Sequence, residues 1–127
     1  MWHAITPRIV THDPDGLVAF LREVFGAEVD ARSGGPSVVT IGDSRLMISG
    51  PEAREPFAAF LYVYVDDVDA TFRRAVAAGV TVIEEVWDTP YGDRRGMFED
   101  GWGNVWQVAR ITSPRPLPSA SPPGSAR

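Results

Sequence analysis

The side chains of this chain that can do chemistry are few. There are two histidines, His3 and His12, and no cysteine, and all 12 basic residues are arginine. Without a thiol there is no disulfide, no thiolate metal site and no cysteine nucleophile. Without a lysine there is no Schiff base and no P-loop grip on phosphate. The carboxylates that stand out come in pairs, Asp13 with Asp15 and Asp67 with Asp69, at the same spacing. His12 beside the first pair resembles a metal patch. Helix capping explains both carboxylates, because an acid ahead of a helix accepts orphan backbone N–H groups and meets the positive end of the dipole. Strand alternation places Ala4, Thr6, Arg8 and Val10 on one face and turns His3 away from them.

The elements around these residues occur twice. The first half reads as a strand over 5–11, the acidic turn HDPDG, a helix over 17–25 and the closing GAEV. The second reads as a strand over 60–65, the turn DDVDA, a helix over 70–78 and the closing GVTV. Leu17, Phe20, Leu21 and Val24 share one helical face, as do Phe72, Ala75 and Val76. Gly26 and Gly79 stand where helices close in the left-handed conformation. Three short strands are expected after each helix: 27–32, 37–41 and 45–49, then 81–87, 96–99 and 105–110. Both halves thus predict strand–helix–strand–strand–strand, joined by the linker GPEAREP at 50–56.

Composition sets the outer limits. A hydrophobic fraction of 44% and a charged fraction of 23% are those of one globular domain. A net charge of -5 disfavours nucleic acid and anionic membrane as partners. No apolar run is long enough to span a bilayer and no leader pattern opens the chain, so a cytoplasmic location is expected. Residues 1–111 are expected to fold as one domain, with modules at about 4–49 and 59–110. The Pro/Ser-rich stretch 112–127 has little to bury and is expected to be a disordered tail.

The duplicated unit, with VDDVDATFRRAVAAG at the second helix, PYGDRRG at 90–96 and FEDGWGNVWQVA at the end, resembles the vicinal oxygen chelate superfamily. That group includes glyoxalase I, bleomycin-resistance proteins, fosfomycin-resistance enzymes and extradiol dioxygenases, and the chain is similar to its single-domain, bleomycin-resistance-like bacterial branch. The resemblance implies an α+β fold in which two tandem βαβββ modules form a curved, cup-shaped mixed sheet with helices on the outside. A homodimer is also implied. The family's enzymes hold a divalent ion through His on the first strand, His on the fifth and Glu on the eighth. Carried over residue by residue, those positions are Thr6, Phe60 and Gln107, with Met47 at the matching place in the first module's last strand. A hydroxyl, a phenyl ring, an amide and a thioether are poor ligands for such an ion. No metal and no cofactor are expected.

If Thr6 and Phe60 face the cup, alternation adds Arg8 from the first strand and Tyr62 and Tyr64 from the fifth. Leu61, Val63 and Val65 then pack under the helix, with Ile5 and Ile9. Gln107 faces inward, Trp106 and Val108 face the helix, and Trp87 and Phe98 are further candidates for the cavity wall. In the GDRRG segment, Asp93 is expected to form a turn. Arg95 either reaches the cavity mouth, where it could grip an acidic ligand, or is ion-paired within the chain. Trp102 is expected to be exposed or at a dimer contact. The expected function is metal-free binding of an aromatic or amphipathic small molecule. The alternatives are a metal-dependent glyoxalase-like lyase or dioxygenase, and a metal-free enzyme using Tyr62, Tyr64 or Arg8 as acid and base.

Overall fold

The computed structural model describes residues 4–30 and 35–112. The expectations for His3, for Arg32 as a strand end and for the chain beyond 112 lie outside those residues. The first module comprises β1 (Arg8–Val10), α1 (Pro14–Phe25), β2 (Glu28–Asp30), β3 (Ser37–Ile41) and β4 (Ser44–Ser49). The second comprises β5 (Phe60–Tyr64), α2 (Val68–Ala77), β6 (Thr81–Asp88), β7 (Asp93–Glu99) and β8 (Val105–Ile111). Each module makes a four-stranded mixed sheet, β1-β4-β3-β2 and β5-β8-β7-β6. β1 lies parallel to β4 and β5 parallel to β8, and the remaining pairs are antiparallel. This is the expected α+β duplication. The two sheets do not close onto one another within the chain.

The helices begin earlier than hydrophobic periodicity alone suggests. Asp13 caps α1 by accepting the Gly16 N–H at 3.0 Å, and Pro14 opens the helix where no amide proton is required. Asp67 repeats the cap on α2, accepting from the Ala70 N–H at 3.0 Å. One carboxylate of each pair therefore caps, while Asp15 and Asp69 fall in the first turn. Gly26, at φ 65°, ends α1 in the left-handed region.

Two boundaries correct the sequence reading. β1 starts only at Arg8, so the alternation does not extend back to Ile5, which is 82% exposed rather than packed under the helix. β7 starts at Asp93, so Asp93, Arg94 and Arg95 are strand residues and not a turn. The hairpin is closed by Thr89, whose N–H and hydroxyl both donate to the Asp93 carbonyl, at 2.8 and 2.9 Å. Pro90 to Gly92 alone form the bend.

One core joins the modules. Ile9, Leu17, Phe20, Leu21, Val24 and Ile48 from the first half pack with Val68, Phe72, Ala75, Trp106 and Val108 from the second. Phe98, expected on the cavity wall, belongs to this core. It is fully buried, with Phe20 and Phe72 edge-on at 6.4 and 6.0 Å. Its β8 partner is Trp106, and both lie on the helix side of the sheet. The helices also touch directly, Arg74 Nε donating to the Val24 carbonyl at 3.0 Å.

The FEDGWGN stretch ties this core to the second sheet. Buried Asp100 accepts from the Trp102 and Asn104 N–H groups at 2.8 and 3.0 Å through Oδ1. Its Oδ2 accepts from Asn104 Nδ2 and Trp106 Nε1 at 3.0 and 2.9 Å. Asn104 Oδ1 in turn accepts the Ala59 N–H at 2.9 Å, fixing the entry to β5. Trp102 is half-buried, its ring 5.9 Å from Phe20, rather than fully exposed.

Candidate functional site

Side chains along a strand alternate between faces, so the register defines the face of the second sheet that points away from the core. Three rows cross it. Phe60 stands beside Val105 and Glu99; Tyr62 beside Gln107, Met97 and Glu84; Tyr64 beside Ala109, Arg95 and Trp87. The residues between them, Leu61, Val63, Trp106, Val108 and Phe98, face the core as the parity requires. Phe60, Tyr62, Tyr64, Trp87, Arg95 and Gln107 therefore share one open face. Its aromatic rings are bare: Phe60 is 67% exposed and Tyr64 51%.

At one end of this face the side chains converge on Asp93. Tyr62 Oη donates to Asp93 Oδ2 at 2.6 Å, and Tyr64 Oη reaches the same oxygen at 3.5 Å. The two rings lie 5.3 Å apart. Ala109 and Gln107, between β5 and β7, are part of the row structure that lets these hydroxyls span to the acid. A cavity of about 280 Å³ is bordered by Tyr62, Tyr64, Tyr91, Asp93 and Arg95. On its other side Tyr62, with Tyr64, borders a groove of about 390 Å³ that reaches Ile5, Ile41 and Arg45 of the first module.

The electrostatics follow from these contacts. Burial, then the hydrogen bond to Asp93 and its charge, pushes the Tyr62 phenol up to about 12. Arg95 is held by Glu84, with Nε to Oε1 at 2.9 Å and Nη2 to Oε2 at 3.4 Å. That bond lowers the Glu84 pKa and raises that of Arg95. Arg95 thus forms the expected intrachain ion pair and also borders the cavity. Arg94, one residue earlier and on the opposite face, binds Asp69 at 3.0 Å and Asp88 at 3.1 Å. Its hydrogen bond pulls the Asp69 pKa down.

Thr6, Arg8 and Met47 belong to the first module instead. Arg8 stands opposite Met47 in the β1–β4 register, with Nη2 3.3 Å from its sulfur, and Thr6 lies just ahead of β1. The donor set at the positions that resemblance assigns to a metal is thus a hydroxyl, a thioether, an exposed phenyl ring and an amide. These are poor ligands for a divalent ion, which in protein sites is held chiefly by imidazole, thiolate or carboxylate. Among the described residues no three His, Cys, Asp or Glu stand close enough to hold one.

The sequence reading missed Glu84, Asp93 and Tyr91. Asp93 would have been found by extending the parity of β7 two residues back through Arg95, but the flanking glycines made the segment read as a turn. Glu84 carried no such signal. Register shifts in β6 between Val82 and Glu84 and between Glu84 and Trp87 break the two-residue period.

Comparison with known proteins agrees with this architecture. The family model of the Glyoxalase/Bleomycin resistance protein/Dioxygenase superfamily matches residues 3–108. An uncharacterized protein of Mycobacterium bovis is 27% identical, over 84% of this chain and 82% of its own length. The crystal structure of TioX from Micromonospora sp. ML1 superposes with a TM-score of 0.75 at 25% identity, covering 86% of this chain and 98% of that one. A glyoxalase/bleomycin resistance protein/dioxygenase family enzyme from Burkholderia phytofirmans PsJN gives a TM-score of 0.71 at 25% identity, covering 82% and 94%. Among the described residues no helix is long and apolar enough to cross a membrane.

Proposed function

The chain belongs to the glyoxalase/bleomycin resistance protein/dioxygenase superfamily, and we propose that within it this protein is a metal-free binder of an aromatic or amphipathic small molecule. The observation that carries this reading is the bare aromatic wall of Phe60, Tyr62, Tyr64 and Trp87 on the open face of the second sheet. Aromatic rings left in water on an otherwise well-packed domain mark a surface that is covered in use. The chemistry at the metal positions argues against Lewis-acid catalysis by this chain. General-base catalysis by Tyr62 is also disfavoured. Its proton is engaged by Asp93, and a phenol pushed up to about 12 supplies almost no phenolate at neutral pH.

Both modules turn their helix-side faces into one core, and their two sheets do not close into one cup within one chain. The cup of this reading is completed by a homodimer, in which the first-module face of one copy, with Arg8 and Met47, covers the aromatic face of the other. Sedimentation equilibrium together with metal analysis, on protein purified without chelator, tests both statements. A dimer with less than a tenth of an equivalent of divalent ion is expected. A monomer that binds no aromatic compound, or one equivalent of tightly held ion, overturns the reading.

A further inference from the structure

The aromatic wall has a candidate cover in the sequence itself. β8 runs between β5 and β7, and its last residue, Ile111, keeps the open-face parity of Val105, Gln107 and Ala109. Ile111 is 52% exposed and stands one step past the row of Tyr64, Ala109 and Arg95. The Thr112 N–H is tied to the Gly92 carbonyl at 2.8 Å. Residue 113 therefore leaves the fold at the Tyr64 and Tyr91 end of the wall.

Residues 113–127 read SPRPLPSASPPGSAR. Proline at 114, 116, 118, 122 and 123 fixes its own φ and restricts the residue before it, which favours polyproline II. A segment already held in that form loses little entropy on docking, and its rings suit walls of aromatic side chains. Such a ridge needs an open wall rather than an enclosed pocket. Extended at about 3.1 Å per residue, this stretch reaches about 45 Å. From Tyr64 to Phe60, β5 spans only about 13 Å, so a reversal of several residues after Thr112 still leaves chain to cover it. Charge favours the contact too. The stretch carries Arg115 and Arg127 and no acid, whereas Glu99, at the Phe60 end, makes no ion pair among the described residues.

We propose that residues 114–123 fold back over Tyr64, Tyr62 and Phe60 of their own chain and are displaced when a small molecule binds there. The docking stands apart from the binding reading above, and the competition rests on it.

The chain has no cysteine, so Ser119→Cys in the full chain takes a single nitroxide label, and paramagnetic broadening of backbone amide signals reports what the segment touches. Broadening is expected across Phe60 to Tyr64, relieved by 1-naphthylmethylamine and lost when Pro114→Ser, Pro116→Ser and Pro118→Ser are combined. The triple variant, without label, is expected to bind 1-naphthylmethylamine about threefold or more tightly than the natural chain, because its wall is no longer partly occupied. Broadening confined to Ile111 and Thr112, or unchanged by the proline substitutions, overturns the docking and leaves the binding function standing. Equal broadening of an isotope-labelled copy by a separate spin-labelled copy overturns the assignment to the same chain. Equal affinity of the two chains for the amine overturns the competition. Selective broadening with no amine binding by either chain supports the docking and overturns the binding function.

Discussion

The hydroxyl of Tyr62 and the carboxylate of Asp93 meet at 2.6 Å across β8, joining the first strand of the second sheet to its third. A distance that short between a phenol and a carboxylate is that of a charge-assisted bond. It fixes the tilt of the Tyr62 ring and, through the 5.3 Å contact, that of Tyr64. The aromatic wall is thereby held by the protein's own contacts, which would lower the ordering cost of the binding proposed above.

Burial of the Tyr62 phenol, together with this bond, has a titration signature. One phenol of the folded chain is expected to ionise at about 12, against an ordinary value of 10.0. A group whose folded pKa is raised contributes stability below its unfolded pKa and loses it as pH climbs to the folded one. Stability is therefore expected to fall between pH 10 and about 12. Ultraviolet titration of the chain and of Tyr62→Phe checks this, since the variant should lack the late-ionising phenol.

The acid side has the opposite sign. Glu84 is held below its ordinary value of 4.5, chiefly by the Arg95 hydrogen bond. A depressed carboxylate contributes stability above its unfolded pKa, and that contribution disappears as pH falls through the folded pKa. Glu84→Gln is expected to lose about 0.5–1 kcal/mol at pH 7 and to show a shallower stability decline below pH 4.5. Urea denaturation at pH 7 and pH 3 measures the difference.

Much of the architecture was legible in the sequence because it follows from local chemistry. The paired Asp residues, the alternating β5 and the amphipathic helices fix the duplication and the parity of the open face. Phe60 and Gln107 were placed by the family resemblance, and Tyr62 and Tyr64 by parity with Phe60. Phe98 was misplaced because its parity within β7 was not matched to Trp106 across the sheet. Ile5 was misplaced because strand pairing stops at Arg8. Glu84 joins Arg95 and Trp87 only through the irregularities of β6, which depend on pairing with β7 and leave no mark in the order of residues.

Core and wall positions are expected to separate cleanly on mutation. Phe98→Ala empties a fully buried site and should cost about 3–5 kcal/mol. Phe60→Ala, on the open face, should change stability by less than about 0.5 kcal/mol. Thermal unfolding of the two variants side by side checks this.

Asp100 is expected to matter more than its position in a turn suggests. Its carboxylate accepts four hydrogen bonds, including the Trp106 indole N–H. Asp100→Ala leaves those donors buried without an acceptor and should destabilise by about 3 kcal/mol or more. Urea denaturation at pH 7 gives the value.

The central claim is that the aromatic face of the second sheet binds a small molecule without a metal. Titration of intrinsic tryptophan and tyrosine fluorescence with 1-naphthylmethylamine in excess EDTA addresses it most directly. The account expects saturable quenching, undiminished by the chelator and weakened at least tenfold in Tyr64→Ala. Quenching that vanishes with EDTA and returns with one equivalent of a divalent ion would contradict it.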